Sequence, residues 1–211
     1  MAKKNRNDVE KEQAIQTLVL SEDGKSLTAF WLRIFCGCGL NKKFNPIYAL
    51  ENVIPKLDSS FNYLIIEKDE WTYGDFVHAF YTPAENTITI RCDIYEQALE
   101  GLFMAQITIT HEIVHYFQSV IVTFLQIFQC IKFKTELCEA GSEQMIHHEE
   151  QTDSITYLVL SPRQLTEGKT ENEIFEFFIE KPIKLLVPKS VRTLRNFKRL
   201  LFPKVPKQIA S

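Results

Sequence analysis

Apolar residues recur at helical or strand spacing along most of the chain, and the period changes where the fold should change. Leu27, Phe30, Trp31 and Ile34 fall three and four apart and predict a helix over 26–35, while 37–46 reads as a break. A second helix is expected over 47–57, despite Pro55 near its end. The period then shortens to two. Residues 63–67 form a short β-branched run, and 76–82 and 86–91 flank Pro83-Ala84-Glu85, which predicts a hairpin. Within 86–91, Ile88 and Ile90 alternate with Thr87, Thr89 and Arg91, so one face is expected to be buried and the other wet. Helical spacing returns over 93–99, is broken by Gly101, and continues from about 102 to 133. Gly141 marks another break, and 142–160 is helical until it stops before Pro162. Thr170 with Glu173 forms a capping box ahead of a short helix that should end near Pro182. A last helix is expected over 190–202, with Val191, Leu194, Phe197 and Leu201 on one side and most of its basic residues on another.

These elements predict an α+β class: a small, mostly antiparallel sheet packed on the long helix over 102–133 and on a second helix over 142–160. The 211 residues, 45% hydrophobic and 24% charged, fit one soluble globular domain of ordinary size with appendages. The division expected is a flexible N-terminal region over 1–25, a folded domain over 26–180 and a tail over 181–211. No transmembrane segment is expected: His115, Gln118, Gln126 and Gln129 interrupt the apolar stretch 113–131, so it reads as a buried helix. Residues 1–13 are crowded with charge and no proper hydrophobic stretch follows, so no secretory signal is read. Five cysteines, an odd number, suggest reduced thiols rather than a disulfide framework, and Cys36-Gly37-Cys38 reads as small core residues. Both features point to the cytoplasm. Charge is uneven: residues 181–211 carry nine bases and no acid, whereas the other 180 residues hold 15 basic and 27 acidic side chains, net −12. A basic amphipathic tail is therefore expected to dock on the chain's own acidic body.

The chemistry concentrates in the first half of the long helix, where His111-Glu112-Ile113-Val114-His115 reads H-E-x-x-H. Each helical residue turns by about 100°, so histidines four apart share a face and both imidazoles can reach one metal ion. Glu112 projects beside that face. This is the zincin arrangement, in which two neutral histidines hold Zn²⁺ and the glutamate takes a proton from the metal-bound water. The flanking residues 108–110, 113, 114, 116 and 117 carry no charge, as a helix buried around a cleft requires. The metzincin continuation would need glycine at 118 and histidine at 121; Gln118 and Ile121 stand there, so the third ligand must come from elsewhere.

The helix over 142–160 is where that ligand should lie. Glu149 and Asp153 are four apart and share a face. In zincins of the glutamate type, the Glu of such a pair binds zinc and the Asp accepts a hydrogen bond from the other nitrogen of a ligand histidine, here His111. Glu150 and His147 compete for the ligand role, because a helix turned slightly offers either. His148 reads as a surface residue, and His78 as a structural or exposed one. Tyr157 and His147 are candidate oxyanion partners. Strand 86–91 is expected to hold substrate by adding the peptide along its edge.

Residues Ile90-Arg91-Cys92-Asp93-Ile94-Tyr95, the stretch Ile107 to Phe117, and the segment Glu149 to Pro162 together resemble the ImmA/IrrE family of zinc metallopeptidases. The first two are similar to that family's I-R-x-D-x-Y and F-T-x-A-H-E-L-G-H, and the third to its E-x-E-A-N/D-x-F-A-x-x-L-L-M-P. The likeness covers roughly residues 28–162, and the register of Pro162 assigns Glu149 to the ligand position. Val114 replaces the glycine usual before the second histidine, and Thr152, Thr156 and Ser161 replace small or apolar residues. None of these changes removes a ligand or the base. The resemblance implies a zinc-dependent endopeptidase whose substrate is a regulator, often a separately encoded helix-turn-helix repressor. A non-proteolytic, zinc-stabilised module that sequesters such a regulator needs the same ligands and differs only in having no use for Glu112.

Overall fold

In the computed structural model, which describes residues 22–127 and 143–180, the first helix, α1 (Glu22–Phe35), starts four residues before its expected beginning and takes in Gly24. It buries Leu27, Ala29, Phe30 and Leu32, and beside them the whole of Arg33. Among the described residues that guanidinium donates to three backbone carbonyls: Nε to Gly39 at 2.7 Å, and its two terminal nitrogens to Lys42 and Val159. Cys36 is buried in the turn that follows, as a small core residue, and burial pushes its thiol up to about 12.

Helix α2 consists of Pro46–Tyr48, a π-helical stretch Ala49–Val53 and Ile54–Leu57, which follow one another without a gap. Asn45 caps it by accepting the Tyr48 N–H at 3.0 Å, with Pro46 in the first turn. The wide turn sits just ahead of Pro55, and the Ile54 N–H reaches back five residues to Ala49. A proline ring collides with the carbonyl four residues back in a regular α-helix, so the widened turn is where the chain makes room for it.

Three strands form one sheet in the order β1-β3-β2: β1 (Asn62–Ile66), β2 (Ala79–Thr82) and β3 (Thr87–Arg91). The class is α+β and the hairpin joins β2 to β3, both as expected. The sheet is mixed rather than mostly antiparallel, because β1 pairs parallel to β3. The alternation of β3 does not mark a wet face either: all five of its residues are buried. Side chains opposite one another in a ladder share a face, so Thr89 lies beside Phe80, and the β1–β2 connection covers that side. Its Tyr73 and Trp71 rings pack 4.5 and 6.0 Å from the Phe80 ring. The opposite face meets the long helix through Tyr81, whose ring is 5.8 Å from that of Tyr116.

After β3 come α3 (Cys92–Leu99), a break at Gly101 with φ +88°, and α4 (Phe103–Ile127). Helix α5 (Glu143–Leu160) packs on both α1 and α4, and α6 (Arg163–Thr166) follows Pro162. The chain divides into two compact units, Met1–Gly168 and Lys169–Ser211. In the second, the Thr170–Glu173 capping box forms as expected and starts α7 (Glu171–Phe175), which runs into a π-helical turn over Glu176–Glu180. The expected stretch of the long helix to 133, the break at Gly141, the helix end near Pro182 and the basic helix over 190–202 lie outside the described residues. So does the region before Glu22.

Candidate metal centre

Helix α4 is held by Ile109, Ile113, Val114 and Phe117, all buried, and this fixes the rotation at which its polar residues emerge. His111 and His115 then point out of one face, half-buried, into the space between α4 and α5. Their Nε2 atoms are 2.9 Å apart. Glu149 on α5 brings Oε2 to 3.1 Å from the His111 nitrogen and 3.3 Å from that of His115. Three ligand atoms thus form a small triangle, and this group can hold a metal ion. Tetrahedral bonds of ~2.0–2.1 Å place donors about 3.3 Å apart, so a modest expansion fits a first-row ion with three protein ligands among the described residues.

The protonation states suit that role. Asp153, one turn beyond Glu149, has Oδ1 2.9 Å from His111 Nδ1. An aspartate accepts there, which puts the ring proton on Nδ1 and leaves the Nε2 lone pair for an ion. His115 is pulled down to about 4, first by burial and then by the neighbouring His111, so it is neutral at ordinary pH. The contacts of His111 with Asp153 and of His115 with Glu149 cross-link α4 and α5 at the site. Thr152 adds a further cross-link, donating to Gln118 Oε1 at 3.1 Å.

Glu112 stands apart from the triangle and is only 8% exposed. Burial pushes its carboxyl up to about 8; the Tyr81 backbone N–H donates to it and opposes the shift, while the charge of Glu149 adds to it. That N–H lies on the outer edge of β2, where no further strand pairs among the described residues. His78 accepts from the Arg91 N–H at 3.0 Å, so in the antiparallel alternation His78, Phe80 and Thr82 bond inward to β3 while Ala79 and Tyr81 turn their backbone groups outward. Strand β3 has no such edge. It lies between β1 and β2, which corrects the expectation that a peptide could add along 86–91; the edge facing Glu112 is that of β2.

The other expected residues fall as follows. Glu150 is exposed and lies outside the ligand group. Tyr157 is exposed, two turns beyond Glu149 on the face of Asp153. The side chain of His147 lies outside the described residues. His78 is half-buried, and the thiols of Cys36 and Cys38 belong to no metal group among the described residues.

Two features have no counterpart in the sequence reading. His148 is exposed, as a surface residue should be, yet its ring stacks on that of His115 at 5.3 Å between centroids and 8° between planes. Its position next to Glu149, in a run that must approach α4, was the available signal. The second is a polar brace behind the site. Asp58 accepts from Ser60 N–H (2.9 Å) and Oγ (2.6 Å), from Asn86 Nδ2 (2.9 Å) and from Tyr116 Oη (3.2 Å), and Tyr81 Oη donates to Asn86 Oδ1 at 3.0 Å. Asn86 has φ +49°, in the left-handed region that asparagine tolerates better than most residues. The brace connects Tyr81, which bonds Glu112, with Tyr116, the neighbour of His115.

Comparison of the chain with protein-family models, with curated proteins and with solved structures finds no match in any of the three.

Proposed function

We propose that the chain is a zinc-dependent metalloendopeptidase of the ImmA/IrrE type that hydrolyses a protein substrate, a transcriptional repressor or similar regulator. The observation that carries this proposal is Glu112: a buried carboxyl beside three ligand atoms that it does not join, with burial raising its pKa toward the range of a general base. Two imidazoles and a carboxylate are a donor set of catalytic zinc, whose fourth position takes water or substrate. When bound, the ion supplies Lewis acidity, lowering the pKa of a coordinated water and polarising a carbonyl. His111, His115 and Glu149 hold it; Asp153 keeps His111 in the right tautomer. Glu112 accepts a proton from the attacking water and returns it to the leaving amine. The outward backbone groups of Ala79 and the outward carbonyl of Tyr81 align the substrate as an added strand across the site. On α5, His148, stacked on His115, and Tyr157, on the face of Asp153, are the described candidates to receive the developing oxyanion.

Glu112→Gln tests the proposal. The amide keeps the shape of the base and one acceptor, so zinc content and partner affinity should stay unchanged, while cleavage of a regulator encoded beside this chain should fall by about 10²–10⁴. Equal cutting by both proteins rules out hydrolysis at this site. Binding and relief of repression by both, with no cutting by either, would make the chain a sequestering module instead.

A further inference from the structure

The β1–β2 connection presents Phe76 with 99% of its surface exposed, the most exposed large apolar side chain among the described residues. It does so from a fixed turn. Val77 N–H donates to the Gly74 carbonyl at 3.3 Å, Trp71 Nε1 donates to the same carbonyl at 3.3 Å, and Gly74 has φ +89°, which favours glycine. Trp71 and Tyr73 pack on each other at 5.1 Å and tie the turn to Phe80 in the sheet. A phenylalanine left in water adds nothing to folding, and a turn fixed at its base gives up little freedom on meeting a ligand.

Its place in the sheet says which ligand. Phe76 lies three residues before Ala79 and five before Tyr81, the two residues on the outer edge of β2, so the edge that reaches Glu112 begins within about 10 Å of it at ~3.3 Å per residue. Val77, 37% exposed, sits between them. The connection carries Glu67, Asp69, Glu70 and Asp75 against the single base Lys68, a charge that repels an anionic lipid surface and suits a segment bearing lysine or arginine. A strand added antiparallel to β2 runs from Tyr81 toward Phe76 in its own N-to-C direction.

We propose that Phe76 is a specificity anchor, receiving an apolar side chain three to five residues C-terminal to the cleaved bond in a substrate segment that is otherwise basic. This rests on the peptidase proposal above. The test uses the full-length, zinc-loaded chain and a peptide mixture made by digesting a whole proteome, with the new ends read by mass spectrometry. Wild type should select an apolar residue at those positions with bases around it. Phe76→Ser should lose the selection and raise KM for a selected peptide about ten-fold with kcat within about two-fold, while Phe76→Leu keeps both. In the Glu112→Gln background, where nothing is cut, Phe76→Ser should weaken binding of that peptide by the same factor. Cleavage without the apolar selection, or with selection intact in Phe76→Ser, overturns the anchor alone. No cleavage by wild type beyond that of Glu112→Gln overturns the peptidase proposal and the anchor with it.

Discussion

Burial acts on Glu112 and His115 in opposite senses, and the metal-free protein should record both. The carboxyl, raised from 4.5 to about 8, binds more proton in the folded chain than in the unfolded one, so its contribution makes stability fall as pH rises through that interval. The imidazole, lowered from 6.5 to about 4, binds less, so its contribution makes stability rise between those values. The two slopes oppose each other up to pH 6.5, and above it Glu112 acts alone. The unfolding free energy of the metal-free protein, from urea titrations, should therefore drop from pH 6.5 to 8 by on the order of 1–2 kcal/mol, and Glu112→Gln should flatten the profile. A wild-type profile already flat there would remove buried Glu112 as the cause. At the same scale, alanine at His111, His115 or Glu149 should abolish metal content, whereas Asp153→Asn should keep the ion but weaken its affinity about 10–100-fold. Metal titration of the four variants checks this; full metal content in Glu149→Ala would move the third ligand elsewhere. His111, Glu112 and His115 were legible in the sequence because four residues of helix fix their mutual placement. Glu149 stood among competitors until α5 was in position, and the stacking of His148 on His115 depends on the rotation of one helix against another, which no local pattern encodes.

Among the elements, α1 and α5 pack on each other and are also joined by one side chain, Arg33. Arg33 is buried with three carbonyls as its acceptors, so removing the guanidinium leaves those carbonyls without a partner inside the fold. Arg33→Met, close in length and apolar, should lower the denaturation free energy by about 3 kcal/mol or more, measured by urea unfolding of the metal-loaded chain. A loss under about 1 kcal/mol would mean that desolvating the charge offsets its hydrogen bonds. Helix spans and the hairpin were readable because periodicity and turn residues are local signals. The burial of β3 was not, since its cover comes from Trp71 and Tyr73 in a connection with no period of its own. Nor was the parallel pairing of β1, which depends on how the chain crosses the sheet. The wide turn ahead of Pro55 is a third case: the proline was visible, but the helix widens around it instead of ending.

Over the whole chain, charge and connectivity set the terms. With net −12 on residues 1–180 and +9 on 181–211, deletion of 190–211 should lower the melting temperature, and the difference should shrink between about 0.05 and 0.5 M salt as screening sets in. Salt-sensitive binding of DNA or anionic vesicles by the intact chain, lost on deletion, would give the tail an outside partner instead. The bond from Arg33 to the Val159 carbonyl spans 126 residues, and that span has a meaning for biosynthesis. A ribosome releases α1 more than a hundred residues before Val159 and the second histidine some tens of residues before Glu149, so the distant acceptor of Arg33 and the third member of the metal group are the last parts of their groups to emerge. A product that ends before Glu149 therefore lacks both the third member of the metal group and the α5 contact of Arg33.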